Sequence, residues 1–418
     1  MSNILAMDTK NVEGRAERGL AIVQSKGKRI RQIVENKYLV PSQTTNSGGY
    51  VVDVEAGTCS CPDFETRGCR CKHLWAVLIV RHEVEMPDGS SIVTEHRITY
   101  RQDWPAYNAA QMDEKSRIEV LLRGLCDGLR PPSSPEKKNG RPPTPLADVV
   151  YGAAMKTYIG MSGRRATSDI RSCAARGLMT ESHYNTIFRY MERPEVTPVL
   201  RVLVEQSALP LRVVENQFAV DSTGFSTSTY ARWYDHKYGE EKRTQRYVKA
   251  HAIVGTATNV IATVDVTEGY VNDTPMLPAL VQRAAKGFNI GELSGDKAYL
   301  SHENLAAIAS VGAVPFVAFK ENSRGESKGS AAEVWRKMWH TFNLERDTFL
   351  QHYHRRSNVE STFSAVKRLF DASVRAKGTV AQFNEVYLKC LCFNLTCLVH
   401  AIHELGLNPK FWCNQEVA

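Results

Sequence analysis

The stretch Gln217-Phe-Ala-Val-Asp-Ser-Thr-Gly224 decides the fold, because its apolar run predicts a buried strand that ends at Asp221. Further strands are predicted at residues 248–254, 260–266, 290–293 and 313–319, with helices after Asn272-Asp-Thr-Pro275 and on either side of the last strand. This order predicts an α/β domain in which helices cover a mixed five-stranded sheet.

Two acidic residues follow separate strands of this sheet, whose order is that of a ribonuclease-H-like domain. Asp221 ends the first strand, and Asp296 follows the fourth within Gly295-Asp-Lys-Ala-Tyr299. We expect the two carboxylates to meet at one edge of the sheet. Phosphodiester cleavage can use two Mg²⁺ or Mn²⁺ ions held by a few closely placed carboxylates. A single aspartate at a strand end is more often a turn or cap residue than a metal ligand.

The third candidate carboxylate is Glu360, in a helix predicted over residues 354–370. The apolar face of this helix, which should pack on the sheet, consists of Val359, Phe363, Val366 and Phe370. Beside it runs a polar stripe with steps of three, four and seven residues, formed by Tyr353, Arg356, Glu360 and Lys367. Alternatively, Arg356 and Glu360 form a plain surface ion pair.

The spacing of the polar stripe is that of the YREK signature, and residues 140–405 resemble bacterial insertion-sequence transposases with a DDE catalytic triad. The resemblance extends to the sequences around Asp221 and Asp296, to Lys249-Ala-His251 and to a cysteine-containing helix that ends at Gly406. It implies that the metal ligands are Asp221, Asp296 and Glu360. It also implies contacts with transposon-end DNA from Tyr353, Arg356 and Lys367. The segment between Phe319 and Tyr353 is shorter than the β-rich insertion of some members.

Three further polar residues of the predicted α/β domain have alternative roles. Asp273 stands before Thr274-Pro275 at a predicted helix start, where a capping role is expected. Lys249 and His251 lie on the second strand, and their side chains either approach a phosphate or belong only to the strand.

A cysteine cluster near the N-terminus predicts a zinc site. Three thiolates and one imidazole suit tetrahedral zinc, and they are supplied by Cys59, Cys61, Cys71 and His73. The spacing resembles the SWIM zinc finger, a ββα unit that is implied to bind DNA or protein. Cys69 is an alternative to Cys71, and burial of the cysteines as small apolar side chains is an alternative to metal binding. One zinc ion would support a module too small for its own core.

Between these two parts lie a predicted helix at residues 113–129, a proline-rich linker and an all-helical unit at residues 146–208. Gly140-Arg141-Pro142 in the linker resembles an AT-hook, so Arg141 is a candidate DNA contact, or else the segment is a solvated linker. In the helical unit, which resembles a helix-turn-helix, phosphates could be bound by Arg164, Arg165, Arg171 and Arg176.

Composition narrows the class of protein. The chain has 418 residues, 43% hydrophobic and 23% charged, as in soluble proteins with several folded units. Its net charge of +8 is compatible with a polyanionic partner. No membrane span or signal peptide is expected, so a cytoplasmic protein is predicted. The apolar surroundings of Cys390, Cys392 and Cys397 predict core packing.

The sequence therefore predicts four segments: a SWIM-type zinc module (1–95), a helix and linker (96–145), a helical DNA-binding unit (146–208) and a ribonuclease-H-like catalytic domain (209–408). The predicted function is DNA cleavage and strand transfer at transposon ends, by a prokaryotic, nucleoid-associated homodimer bound to double-stranded DNA. One alternative is a non-catalytic DNA-binding regulator derived from a transposase. Another is a carbon-oxygen or phosphoester hydrolase that acts on small molecules through the same metal site. A polymer substrate fits better with the basic residues Arg355, Arg356, Lys367 and Arg368.

Overall fold

The computed structural model describes residues 15–412 except 16–17, 20, 24, 35, 44–47, 82, 86–90, 94–102, 130–142, 228–246, 326–328 and 330. Arg141 and its neighbours Lys137 and Lys138 lie outside the described residues. The chain divides into two compact units. One contains residues 1–114 and 399–409, and the other contains residues 115–398 and 410–418.

The first unit is built on a four-stranded antiparallel sheet, whose strands in spatial order are β1 (Arg31–Val34), β2 (Lys37–Pro41), β3 (Gly49–Asp53) and β4 (Thr58–Cys59). Two helices follow it, α1 (Pro62–Arg67) and α2 (Lys72–Arg81). A two-stranded antiparallel pair comes next, β5 (Glu83–Glu85) and β6 (Ser91–Val93). The sheet and α2 enclose a small core that includes Ile30, Val40, Val52, Leu74 and Val77.

Helix α3 (Trp104–Asp127) begins nine residues before the predicted start at Asp113. The Asp103 side chain accepts a hydrogen bond from the Ala106 N–H at 3.2 Å, which caps the first turn. The prediction was wrong here because the apolar periodicity begins only within the helix, whereas the start depends on the local cap.

Helices of the second unit follow as α4 (Leu146–Ile159), α5 (Thr167–Ala175), α6 (Tyr184–Met191) and α7 (Val196–Ala208). Two of the arginines considered for phosphate binding have acidic partners within this unit. Arg176 donates both terminal nitrogens to Glu119, which is 4% exposed, and Arg171 pairs with Glu181 at 3.0 Å. Arg176 therefore ties α5 to α3.

The predicted five-stranded mixed sheet is confirmed. Its strands, in chain order, are β7 (Gln217–Ser226), β8 (Tyr247–Gly255), β9 (Ile261–Glu268), β10 (Glu292–Gly295) and β11 (Val314–Val317). The spatial order is β11-β10-β7-β8-β9, with β10 parallel to β7 and β11, and β8 antiparallel to β7 and β9. The associated helices are α8 (Leu277–Ala284), α9 (His302–Ser310), α10 (Ala332–Leu344), α11 (Arg346–Tyr353), α12 (Ser357–Phe370) and α13 (Thr379–Leu405). This is a ribonuclease-H-like architecture.

Helix α13 runs through the core. By length and composition it is the one helix of the described residues that could cross a membrane, but 78% of its apolar window is buried, as in a core helix of a globular domain. Cys390 and Cys392 are buried on it, and the Cys392 thiol donates to the carbonyl of Ala154 on α4. Cys397 is only partly buried.

Asn394, fully buried on α13, joins this helix to β9 and α7. Its Oδ1 accepts the Ile261 N–H at 2.9 Å, and its Nδ2 donates to the Ile261 and Val204 carbonyls. We expect Asn394→Ala to lower the free energy of unfolding by about 2–4 kcal/mol, because it leaves buried backbone groups without partners. Urea denaturation measures the change. Asn343→Ala, at an exposed position, is the control and should change it by no more than about 0.5 kcal/mol.

Candidate active site and zinc centre

Neighbouring parallel strands bring Asp221 and Asp296 to adjacent positions, although β7 continues to Ser226, where it pairs with β8, and does not end at Asp221 as predicted. Gly295, the last residue of β10, is in register with Val220 of β7, so the two aspartates follow side by side. A Cβ on Gly295 would lie 2.9 Å from Val220 Cγ1, which makes glycine necessary for this close approach of the strands. The predicted meeting of the two acids therefore agrees with the strand register.

Backbone donors orient both aspartates. Asp221 Oδ1 accepts the Ser222 N–H at 2.8 Å, and Asp296 Oδ1 accepts the Lys297 N–H at 2.7 Å. Each carboxylate thereby keeps its second oxygen available for another partner.

Arg356 joins Asp221 to Glu360. Its Nη1 lies 3.4 Å from Asp221 Oδ2, and its Nη2 lies 2.7 Å from Glu360 Oε1. One guanidinium thus contacts two carboxylates, which lie 135 and four positions from Arg356 in the sequence. The alternative of a plain Arg356–Glu360 surface pair does not describe this arrangement, because the arginine also reaches the sheet.

Burial and like charges act together on Asp221. Burial raises its pKa, the Ser222 N–H and Arg356 lower it, and the carboxylates of Asp296 and Glu360 raise it further. A cation beside Asp221 would offset the effect of these neighbouring carboxylates.

The remaining YREK residues are arranged differently from the predicted continuous helix. Tyr353 ends α11, and residues His354–Arg356 form a 3₁₀ turn before α12 begins at Ser357. The Ser357 hydroxyl donates to the His354 carbonyl at 2.9 Å, which favours the tighter turn. The stripe on one helix is therefore corrected to a stripe across a helix junction.

Lys367 contacts an aromatic ring of the sheet. Its ammonium is over the Phe225 ring of β7, 5.6 Å from the centroid, and burial lowers its pKa. Tyr353 is half-buried; burial raises its pKa, and Arg356 opposes that shift. Among the four, Arg356 pairs with Glu360 and also shares a side-chain hydrogen bond with Tyr353.

A second polar cluster lies beside the acids, and it corrects the role expected for Asp273. Asp273 makes no side-chain capping hydrogen bond. Its carboxylate instead lies 2.6 Å from Lys249 Nζ and 3.1 Å from His251 Nδ1. His251 is buried opposite Ser222 in the β7–β8 register. The capping signal is local in sequence, whereas Lys249 reaches Asp273 from a strand 24 residues earlier.

The cysteine cluster in the first unit has the geometry of a metal site. Within the described part of the chain, the one group of possible ligands whose atoms all lie within 4.8 Å of each other is Cys59, Cys61, Cys71 and His73. His73 Nδ1 is 3.9 Å from Cys59 Sγ and 3.8 Å from Cys71 Sγ, which fits a tetrahedral ion at about 2.0–2.3 Å from each ligand. All four residues are buried, and Cys69 is not part of the group.

The local structure explains this convergence. Cys59 ends β4, Cys61 caps α1, Cys71 immediately precedes α2, and His73 lies in the first turn of α2. Hydrogen bonds from the neighbouring thiols and burial raise the pKa of Cys59, so the thiols cannot all ionise without a cation between them.

The fold and the two sites define a class of protein. It has a ribonuclease-H-like domain with an acidic centre, preceded by a module with three cysteines and one histidine. Two family models match the chain in these regions. Residues 214–395 match the transposase DDE domain, and residues 50–82 match the SWIM zinc finger. Residues 214–395 are therefore similar to the transposase DDE domain and residues 50–82 to the SWIM zinc finger, as the sequence predicted.

No curated protein and no solved structure matches the chain.

Proposed function

We propose that this protein cleaves DNA at transposon ends and joins the freed 3′ ends to target DNA, with Asp221, Asp296 and Glu360 as the catalytic carboxylates. The observation that carries the proposal is the single guanidinium of Arg356, which links Glu360 of α12 to Asp221 of β7. In this proposal, the three acids, which come from distant parts of the chain, bind the same metal ions.

The acidic centre suits hard divalent cations. Its donors are carboxylate oxygens, which Mg²⁺ and Mn²⁺ prefer, and the mutual repulsion that acts on Asp221 would be relieved by positive charge. Two such ions, when bound, would neutralise charge on the phosphoryl group and activate the attacking water or 3′ hydroxyl.

The side chains around the acids supply positive charge for the DNA backbone. Arg356 is tied to two carboxylates in the free protein, and its transfer to a phosphate would release both acids for metal binding. We assign Tyr353, Arg356 and Lys367 to contacts with the transposon end. Lys249, which contacts Asp273 and the Val271 carbonyl, is a further phosphate ligand in this proposal.

The other segments complete the proposed assembly. Residues 146–208 would position the transposon end, Arg141 would lie in a minor groove, and the zinc module would bind DNA. Two protomers would pair the two ends in a homodimer on the nucleoid.

Terminal inverted repeats in the DNA that flanks the gene are the substrate to test. A plasmid that carries them, incubated with the protein and Mg²⁺, should yield ends with free 3′ hydroxyls and strand-transfer products. A scrambled repeat is the control. Binding of the repeats without any cutting in Mg²⁺ or Mn²⁺ would support the non-catalytic regulator instead.

Arg356→Gln should have opposite effects on metal and on DNA. Removal of the competing cation is expected to tighten Mn²⁺ binding roughly fivefold, the equivalent of about 1 kcal/mol for a partly exposed ion pair. End cleavage should fall at least about tenfold, since a phosphate ligand is lost. Calorimetric titration and the cleavage assay measure the two effects.

The matched control is Arg346→Gln, an exposed arginine that lies over the Phe342 ring and outside the site. It should change neither quantity. Weaker Mn²⁺ binding in Arg356→Gln would show that the arginine supports the carboxylates rather than competing with the ions.

A further inference from the structure

A cavity of about 670 Å³ lies in the second unit, and none of the residues assigned to cleavage lines it. Its walls come from the end of α4, the loop after it, α6, the segment that follows α12 and the start of α13. The cationic and aromatic residues that line it include Lys156, Arg164, Tyr184, Phe188, Arg375 and Lys377.

Lys156 is the central cation of this cavity. Its ammonium lies 5.7 Å from the centroid of the Phe188 ring. Within the residues that the structure describes, it has no hydrogen-bond or ion-pair partner. Burial lowers its pKa, Glu385 opposes that shift, and Arg375 adds to it. A half-buried ammonium of this kind gains most from an anionic ligand.

The nearby acid Glu385 is already engaged. Its carboxylate accepts the backbone N–H groups of Arg375 and Ala376 at 2.9–3.0 Å. Arg375 donates to the Gly160 carbonyl at 2.6 Å, which joins the segment after α12 to the end of α4. The cavity therefore offers cations, with Glu192 as the other acid on its lining.

Two aromatic rings form an apolar surface beside these cations. Phe188 is 39% exposed and packs edge-on to Tyr184 at 5.9 Å. The Tyr184 hydroxyl accepts a hydrogen bond from Arg164 Nε at 3.3 Å, which holds its ring at the cavity. Exposed rings next to cations suit a stacked nucleobase with its phosphate.

Size and position limit the ligand further. A cavity of this volume accepts one nucleotide and excludes a duplex. Lys367 lies about 10 Å along α12 from Glu360 by helix rise, and Arg375 and Lys377 follow the end of that helix. Cations therefore continue along the chain from the acidic centre towards the cavity.

We propose that this cavity binds one nucleotide of an unpaired DNA strand, with the base against Phe188 and Tyr184 and the phosphate on Lys156 and Arg375. The inference rests on the proposed function, since it takes DNA as the substrate. A free deoxynucleotide offers the same chemistry, so the test includes both sources.

Binding of a fluorescent, 5′-phosphorylated oligothymidylate of eight residues to the full-length protein, measured by anisotropy without Mg²⁺, tests the proposal. Lys156→Met and Phe188→Ala should each weaken binding by about tenfold. Lys286→Met, which removes an exposed lysine outside the cavity, should leave the affinity unchanged. If Lys156→Met and Phe188→Ala bind the oligothymidylate as tightly as the unmodified protein does, the proposal is overturned.

Two further measurements keep the result independent of folding and of catalysis. In the unmodified protein, the bound oligothymidylate should protect Lys156 from acetylation by acetic anhydride, as detected by mass spectrometry. Thymidine monophosphate should compete only at concentrations far above those of the oligomer, and tighter binding of the monophosphate would refute the strand assignment. Because neither measurement requires cleavage, failure of the catalytic proposal would be seen separately in the cleavage assay.

Discussion

Asp221→Asn is expected to lower the rate of transposon-end cleavage by about a thousandfold while leaving the fold intact. Asparagine keeps the size of the side chain and its acceptor for the Ser222 N–H, but it removes the charge that a divalent ion requires. Loss of a metal ligand removes several kcal/mol of transition-state stabilisation, and each 1.4 kcal/mol corresponds to about tenfold in rate. Single-turnover cleavage of labelled end DNA measures the effect.

Asp296→Asn and Glu360→Gln should show losses of similar size, because the three carboxylates act on the same ions. The matched control is Asp347→Asn, which changes an exposed aspartate at the start of α11. Its cleavage rate should stay within about twofold of the unmodified protein. Undiminished cleavage by all three acid variants would remove the triad from the mechanism.

Cys71→Ser is expected to abolish stoichiometric zinc binding and to unfold the zinc module. The core of this module is small, and binding of structural zinc contributes on the order of 10 kcal/mol to the folding of such units. Metal analysis should fall from about one zinc ion per chain to a small fraction. Limited proteolysis should then cut within residues 31–81, which the metal-bound protein protects.

Cys69→Ser is the control, since this half-exposed thiol lies two residues from Cys71 but outside the group of four ligands. It should retain zinc and resist proteolysis. Zinc loss in Cys69→Ser together with zinc retention in Cys71→Ser would reverse the ligand assignment and require a different arrangement around His73.

Hydrophobic periodicity predicted the strands of the sheet because their apolar runs have the length of strands. The apolar runs that contain Phe218 and Val248 are too short for helices. Asp221 and Asp296 directly follow Val220 and Gly295, which are paired in the sheet. The helix predicted around Glu360 is also present, because its four apolar residues recur at the helical period and are buried in the structure.

Junctions and partners across the chain could not be predicted in the same way. The 3₁₀ turn at residues 354–356 depends on a local hydrogen bond from Ser357, which the hydrophobic pattern does not encode. Asp273 has the local sequence of a cap, but its ion pair with Lys249 depends on where β8 lies. The cavity around Lys156 was not predicted, since its walls come from segments more than 200 residues apart.

By itself, the sequence determined the types and order of the elements and predicted the three acids and a cysteine–histidine cluster, because periodicity and ligand chemistry depend on residues close together in the chain. Only the tertiary structure decided which charges meet. Arg356 contacts Asp221 as well as Glu360, and Cys71 rather than Cys69 joins the zinc group. Lys156 lies over the Phe188 ring and has no hydrogen-bond or ion-pair partner among the described residues. Electrostatic and hydrogen-bond partners depend on distances in space, which the folded chain alone sets.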